Sequence, residues 1–236
     1  MASYHTDDFL YNALRTAGSP FRFRPKGLEN VSQEGAAIFV ANHLGSLGPI
    51  QVILTLPFRF YPWVIAENLD LQRAPRYLHD DFVRPTLHLN GHAGAGVSFA
   101  IAQIAVRMLA GMGSVPVERN KGFPWEAFRR SRLLLQQGKR LLIFPEDPTG
   151  PLDLQTGMRS FLCGFFALCR VYEQDTGARL PVYPVIVHPE SRTVHVDQPL
   201  YYQHTGQRRE DIRRACEQLE ARMKGLYIAL NQTIWG

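Results

Sequence analysis

Short apolar runs alternate along the chain with longer amphipathic stretches, and this alternation constrains the fold more than any other feature. The runs 36–42 (AAIFVAN) and 140–146 (RLLIFPE) are rich in the large and β-branched residues of buried strands. The stretch 124–138 has helical periodicity, with Pro124 near its start and Gly138 at its end. Such alternation predicts an α/β fold with a mostly parallel central sheet flanked by helices.

The same patterns assign the rest of the chain. The predicted strands are 21–26, 36–42, 59–67, 114–119, 140–146, 180–189 and 193–202. The predicted helices are 6–17, 49–56, 98–112, 124–138, 158–174 and 209–232. The hydrophobic content of 45% is that of an ordinary globular protein, so we expect a single domain over residues 1–236.

Charge and apolar patterning exclude several classes of function. The net charge of +5 is spread along the chain, and no aromatic-basic platform for nucleic acid is present. The most apolar stretch, 47–66, is interrupted by Pro49, Pro57, Arg59 and Pro62, which argues against a spanning helix. Asp7 and Asp8 stand where a signal peptide would be basic, so a cytoplasmic protein is expected.

The chain has three cysteines, Cys163, Cys169 and Cys216. An odd number without a Cys-x-x-Cys pair is typical of neither a disulfide framework nor a zinc site. We therefore expect buried, unpaired thiols.

Three loops that follow predicted strands carry reactive side chains. They contain His43, Arg119 and Glu146. A histidine can take a proton from an alcohol near neutral pH, an arginine can grip a phosphate, and a glutamate can orient the histidine or hold a substrate hydroxyl. Because sites in α/β sheets gather where strands end, the three loops predict a site for transfer onto an alcohol that bears an anionic group. Each residue also has a structural interpretation, as a hydrogen-bond partner, a surface ion pair or a turn cap.

An alternative is a serine hydrolase. The segment 44–48 (LGSLG) is similar to a Gly-x-Ser-x-Gly nucleophile elbow, with Ser46 as the nucleophile and Leu44 in place of the first glycine. The remaining members of such a triad would come from Asp153, Asp197, His188, His195 and His204.

Four blocks occur in the order of a known family. They are VANHLGSLG (40–48), GSVPVERN (113–120), IFPEDPTG (143–150) and LPVYPVIVHP (180–189). The series resembles the phospholipid/glycerol acyltransferase family, the lysophosphatidic-acid-acyltransferase-like enzymes, over about residues 22–202. The resemblance implies a glycerol-3-phosphate-acyltransferase-like fold, with helix 6–17 before this core and helix 209–232 after it.

The resemblance also implies roles for residues. His43 would be the general base on the acceptor hydroxyl, which attacks the thioester of an acyl-CoA or acyl-carrier protein. Arg119 would bind the acceptor's phosphate, Glu146 would help to build the acceptor site, and Pro184 would support the acyl side. The expected substrate-binding residues also include Asn42, Ser46 and Thr149. The scheme needs no metal and no covalent cofactor.

Two departures from the family pattern matter. Gly48 stands where the family's aspartate follows the histidine, and Thr149 stands where its third block has an arginine. Asp147 is our candidate for a replacement partner of His43, ahead of Glu67, Asp80 and Asp81. The double loss leaves open a non-catalytic protein that binds lipids or acyl chains on the same scaffold.

Two further segments bear on partners. The segment 90–98 (NGHAGAGVS) looks like a phosphate-cradling loop but lacks the lysine of a P-loop, so we expect a connection or a part of the acceptor pocket. The segment 56–64 (LPFRFYPWV) suits either a peripheral membrane surface or a buried strand with its turn.

Overall fold

The protein is described from a computed structural model, which covers residues 8–45, 47–72, 74–75, 99, 106–118 and 124–235. The chain forms two compact units. One comprises Met1–Gly18 and Tyr61–Arg130, and the other comprises Ser19–Phe60 and Ser131–Gly236. The predicted candidates Ser46, Asp80, Asp81, Arg119 and the loop 90–98 lie outside the described residues.

The strands of the chain lie at the predicted apolar runs. They are β1 (Arg24–Lys26), β2 (Ala37–Ala41), β3 (Phe60–Ile65), β4 (Val115–Val117), β5 (Arg140–Ile143), β6 (Pro181–His188), β7 (Thr193–Val196) and β8 (Leu200–Tyr201). The helices that the structure bounds are α1 (Asp8–Ala17), α2 (Leu47–Thr55), α3 (Trp125–Gln136), α4 (Ala167–Thr176) and α5 (Arg208–Trp235). The prediction of an α/β fold with a mostly parallel sheet is confirmed.

The larger unit contains the sheet order β1-β7-β6-β2-β5, with β8 beside β6. Strand β2 pairs in parallel with both β5 and β6, and β1 pairs in parallel with β7. The β6–β7 and β6–β8 pairs are antiparallel. The register sets Val40 against Ile143 and Ala41 against Val185, so β2, β5 and β6 send their carboxyl ends to one edge. We call this the carboxyl edge.

Strand β2 forms the centre of the core because all five of its residues are buried. A strand covered on both faces needs such a continuous apolar sequence. The ring of Phe39 packs edge-on against Phe60 and stacks on Tyr183, with 5.0 Å between ring centroids in each pair. Phe58 packs against the same cluster. Segment 56–64 contains a bend at 56–58 followed by β3 from Phe60, whose first three residues are buried, as the second interpretation predicted.

The helix ends follow local sequence signals. Gly138 ends α3 in the left-handed region, with a φ of 72°. Its N–H donates to Leu135 O at 2.9 Å, and the N–H of Lys139 donates to Leu134 O at 2.9 Å. This pair of bonds is a Schellman motif, which favours glycine. Gly177 ends α4 in the same left-handed region.

The smaller unit contains α1 and the parallel pair β3–β4, in which Trp63 lies against Val115 and Ile65 against Val117. Tyr11 of α1 is buried, and Ala74 and Val106 form a buried apolar cluster. Glu67 lies in a 3-10 turn, Ala66–Leu69, that follows β3.

Two secondary-structure predictions are wrong. The helix predicted at 158–174 begins only with a 3-10 turn at Gly164–Phe166 and continues as α4, because residues 158–162 return antiparallel to 145–152. The strand predicted at 193–202 is two strands, β7 and β8, that pair with different parts of β6.

The prediction of unpaired thiols is wrong for two of the three cysteines. Cys163 and Cys216 form a disulfide across 53 residues, with a Cα–Cα distance of 5.6 Å. Spacing could not indicate this bond, because it depends on where the segment after residue 162 packs against α5. Cys169 is free and buried, as predicted, and burial raises the pKa of its thiol.

Candidate active site at the carboxyl edge

Asn42 and His43 follow β2 directly, at the carboxyl edge of the larger unit. The buried side chain of Asn42 accepts a hydrogen bond from Val187 N–H at 2.8 Å and donates one to Val187 O at 3.0 Å. The amide thereby extends the β2–β6 ladder by one residue. These bonds give Asn42 a structural task, and its predicted contact with substrate stays a prediction.

The Glu146 carboxylate holds the main chain of His43. One oxygen accepts the His43 N–H at 2.7 Å, and the other accepts the Arg159 N–H at 3.0 Å. Bonds from N–H groups to an ionised acceptor are among the stronger hydrogen bonds in proteins. We call this arrangement the Glu146 clamp: it ties the loop after β2 to the loop after β5. The imidazole of His43 is solvent-exposed, with its ring edge-on to Phe144 at a centroid distance of 5.4 Å.

The turn after His43 has a strained backbone. Leu44 has a φ of 45° and Gly45 a φ of 60°. Positive φ is uncommon for leucine and costs on the order of 1–3 kcal/mol. Leu44 packs against the apolar core, which offsets part of this cost. Strain of this kind clusters at functional sites, which favours a functional role for the turn.

Gly48, which stands where the family that the sequence resembles has an aspartate, lies against the main chain of the histidine loop. The N–H of Gly48 donates to His43 O at 3.0 Å. A Cβ on Gly48 would lie 2.2 Å from His43 O and 2.4 Å from Asn42 O, distances that Cβ atoms do not reach. The first turn of α2 therefore closes on the histidine loop too tightly for any side chain at position 48.

Asp147 and Thr149 form the turn after the Glu146 clamp. One carboxylate oxygen of Asp147 accepts the N–H of Thr149 at 2.9 Å and its hydroxyl at 2.7 Å. The N–H of Asp147 donates to Ser160 O at 2.8 Å. Asp147 is partly exposed and follows Glu146 directly in the loop after β5. Its role beside His43 stays a prediction.

The segment 145–162 forms a hairpin braced on α5. The N–H of Phe161 donates to the Glu220 carboxylate at 3.2 Å, and the Lys224 ammonium lies 2.8 Å from Glu220 and 3.4 Å from Asp153. Burial alone would raise the pKa of Asp153, but the N–H groups of Thr156 and Gln155 and the Lys224 ammonium hold it below its usual value. The disulfide fastens the chain just after the hairpin to the same helix.

Other predicted residues serve different local structures. Pro184 is buried in β6 opposite Val40. The His188 ring nitrogens lie 2.8 Å from Ser191 Oγ and 2.9 Å from Asn231 Oδ1, and Asp197 accepts Arg222 Nε–H at 2.6 Å. His188 and Asp197, two of the residues proposed for a serine-hydrolase triad, are therefore engaged in other hydrogen bonds. The proposed nucleophile, Ser46, lies outside the described residues.

Within the described ranges, no group of three or more His, Cys, Asp or Glu side chains could hold a metal ion. Among the helices described, none combines the length and apolar character of a membrane span.

Comparison with known proteins identifies the fold. The chain matches no protein-family model, and no curated protein matches it in sequence. Its structure is similar to the crystal structure of the 1-acyl-sn-glycerophosphate (LPA) acyltransferase PlsC from Thermotoga maritima, with a TM-score of 0.50 and 15% sequence identity. The similarity covers 93% of this chain and 81% of that chain. At this identity the likeness shows the α/β acyltransferase fold.

Proposed function

We propose that this chain is an acyltransferase. It moves an acyl group from a thioester, an acyl-CoA or acyl-carrier protein, to a hydroxyl of a lysophospholipid, a glycerol phosphate or a similar lipid acceptor. The observation that carries the proposal is the Glu146 clamp, which fixes His43 at the carboxyl edge. The fold similarity to an LPA acyltransferase supports it.

The reaction uses His43 as the general base. Its imidazole takes the proton of the acceptor hydroxyl, and the oxygen attacks the thioester carbonyl carbon. The C–S bond then breaks, the leaving thiolate takes the proton from the imidazolium, and the products are an ester and a free thiol. General base catalysis of this kind contributes about 10²- to 10⁴-fold to the rate.

The remaining roles follow the same scheme. Asp147, oriented by its bonds to Thr149, steadies the imidazolium of His43. Arg119 binds the acceptor's phosphate, and the substrate site includes Ser46 and Pro184. No cofactor beyond the thioester donor is required.

A peripheral position on the inner face of a membrane fits this chemistry, because lipid acceptors reside in bilayers. The 145–162 hairpin exposes three apolar side chains, Leu152, Leu154 and Leu162, of which Leu154 is 92% exposed. A group of exposed apolar residues of this kind favours an interfacial location.

Gly48 favours a second candidate function. The family carboxylate that would steady the histidine has no space at this position. Replacing the comparable aspartate in a serine-protease triad lowers the rate by roughly 10⁴-fold. A protein that binds lipids or acyl chains without turnover is therefore the alternative.

The test is a turnover assay with purified protein, acyl-CoA and a panel of alcohol acceptors, in which released thiol is measured. We expect acceptor-dependent thiol release that falls about 10²- to 10⁴-fold in His43→Ala. His204→Ala is the matched control: this half-exposed histidine follows β8, which leaves the sheet at the edge opposite His43, near Glu173.

The outcomes separate the two candidates. Turnover that is unchanged in His43→Ala would remove His43 from the chemistry. A wild-type protein that binds acyl-CoA and lysolipid but releases no thiol with any acceptor would establish the binding function instead.

A further inference from the structure

A cavity lies at the carboxyl edge of the larger unit. Its volume is about 330 Å³, and it is lined by Arg22, Arg24, Glu190, Ser191 and Arg192. We call it the arginine pocket. Arg22 and Arg24 flank Phe23 at the start of β1, and Arg192 ends the turn between β6 and β7. Three of the five lining residues carry a positive charge.

The charges of the arginine pocket are not balanced. Across the described part of the chain, Arg22, Arg24 and Arg192 make no salt bridge with a carboxylate. Glu190 interacts with two other side chains. Its carboxylate lies 3.5 Å from His188 Nε2. Burial raises the pKa of the Tyr227 hydroxyl, and the charge of Glu190 and its hydrogen bond to Tyr227 raise it further. The pocket therefore presents three guanidinium groups and one carboxylate that already has partners.

Helix α2 fixes the segment that carries Arg22 and Arg24. The N–H of Phe23 donates to Gln51 Oε1 and to Thr55 Oγ1, both at 3.1 Å, and Gln51 Nε2 donates to Phe21 O at 3.1 Å. These bonds hold the Phe23 ring in the core. Because side chains alternate along an extended segment, Arg22 and Arg24 then face outward together.

The turn that carries Arg192 is fixed from the opposite side. Ser191 donates its N–H to His188 Nδ1 at 3.3 Å, and its Oγ lies 2.8 Å from the same nitrogen. Arg192 has a left-handed backbone, with a φ of 50°, and its O accepts the N–H of Arg24 at 2.8 Å. Its guanidinium lies over the Phe23 ring, 5.4 Å from the centroid.

Strained backbone at a non-glycine residue costs free energy and persists where the surrounding structure enforces it. Here it places Arg192 at the same cavity as Arg22 and Arg24, whose neighbouring main chain is held by α2. Pre-positioned guanidinium groups suit phosphate, because their planar forks match its oxygens and little freedom is lost on binding.

The arginine pocket and His43 lie at the same edge. Thr193, the first residue of β7, pairs with His188 at the end of β6, and Arg24 pairs with Thr193. Strand β1 is three strands from β2 in the order β1-β7-β6-β2. With a strand spacing of about 4.8 Å, the two sites are roughly 14 Å apart across the sheet.

We propose that the arginine pocket binds a phosphate ester group. The ligand is a molecule with a phosphate monoester or diester, either a dissolved one such as the nucleotide end of CoA or glycerol 3-phosphate, or the headgroup of an anionic lipid. The binding itself does not depend on acyl transfer. If the proposed function also holds, a ligand at this distance reaches the histidine by its extended part.

The test measures binding by isothermal titration calorimetry at low salt. The probes are CoA, dephospho-CoA, glycerol 3-phosphate and inorganic phosphate, and vesicles of phosphatidic acid in phosphatidylcholine are compared with phosphatidylcholine alone by co-sedimentation. The variants are Arg24→Ala, Arg192→Gly and the two combined. Arg192→Gly removes the guanidinium and suits the left-handed backbone, so it keeps the turn.

We expect at least one phosphate probe to bind, and each substitution to raise its Kd roughly tenfold. The matched control is Lys139→Ala, which removes an exposed positive charge at the opposite edge, just before β5, and should change the Kd less than twofold. A CoA preference over dephospho-CoA would identify the nucleotide phosphate, and a vesicle-only effect would identify a headgroup.

Two results would overturn the proposal. The first is that no probe binds to the wild-type protein. The second is a Kd that the double variant leaves unchanged while its circular dichroism and melting remain native. If the proposed acyl transfer is wrong but the arginine pocket binds phosphate, thiol release will be absent while arginine-dependent binding of the phosphate probe persists.

Discussion

Replacing Gly48 by alanine tests how tightly α2 closes on the histidine loop. The added Cβ would lie 2.2 Å from His43 O and 2.4 Å from Asn42 O. Both oxygens belong to a constrained main chain, because Val187 binds the Asn42 side chain and Glu146 binds the His43 N–H. The helix or the loop must therefore shift to admit the methyl group.

The expected cost follows from two opposing effects. Overpacking of a well-packed site costs about 1–3 kcal/mol, and the upper end applies because the obstructing atoms are backbone oxygens. Alanine gains up to about 1 kcal/mol over glycine within a helix. We therefore expect Gly48→Ala to lower the free energy of unfolding by about 2 kcal/mol. Turnover should fall by about 10²-fold, since a displacement of about 1 Å at a reacting group has that effect.

The assay is urea denaturation followed by circular dichroism, together with thiol release. Gly225→Ala is the matched control: this glycine lies exposed within α5, and apart from the adjacent backbone of its own helix no atom lies within 4 Å of its added Cβ. There the helix preference acts alone, so stability should rise by up to about 1 kcal/mol. Equal stability of Gly48→Ala and wild type, with unchanged turnover, would refute the steric reasoning.

Gly48→Asp extends the same argument to the family motif. If the aspartate were merely lost, restoring it would raise turnover. The structure predicts the opposite, because the aspartate has the same Cβ and the same collision. A Gly48→Asp protein more active than the wild type would show that the loop and α2 adopt another arrangement.

Two further predictions concern stability. The Cys163–Cys216 disulfide closes a loop of 53 residues, so its reduction should lower the free energy of unfolding by about 4 kcal/mol from the chain entropy of the unfolded state. The measurement is urea denaturation with and without reductant, and the Cys163→Ala/Cys216→Ala double variant should not respond to reductant. A wild-type unfolding midpoint that does not change on reduction would contradict the prediction. Asn42→Ala removes the side chain that hydrogen-bonds the buried N–H and C=O of Val187, so urea denaturation should show a free energy of unfolding lower by about 3 kcal/mol. A decrease of less than about 1 kcal/mol would mean that the loop rearranges to pair both groups.

Much of the fold could be predicted because the buried strands are continuous apolar runs. Strands β2, β5 and β6 lie within the predicted ranges, and α5 differs from its predicted range by a few residues. The convergence of His43 and Glu146 at one edge also follows from the order of strands and loops. Periodicity and strand polarity are properties that a single sequence displays.

The helix wrongly predicted at 158–163 shows that local sequence patterns do not predict structure that depends on long-range contacts. The apolar pattern there fits a helix, but distant carboxylates take the main-chain N–H groups: Glu146 accepts from Arg159 and Glu220 accepts from Phe161. The disulfide and the arginine pocket depend on similar long-range contacts. Nothing local links Arg24 to Arg192, which the β1–β7 pairing brings together.

The Glu146 clamp changes how the histidine loop should be understood. In the family pattern that the sequence resembles, an aspartate five residues after the histidine acts on the imidazole: it sets the ring's tautomer and stabilises its positive charge. Glu146 instead binds the His43 main chain, and Gly48 and Asn42 fix that main chain from two other directions. The position of the His43 main chain is thus secured by contacts to the main chain itself. Variants of Glu146 should accordingly disturb where the imidazole lies, and variants of Asp147 should disturb how readily it holds a proton, if Asp147 has the role we propose.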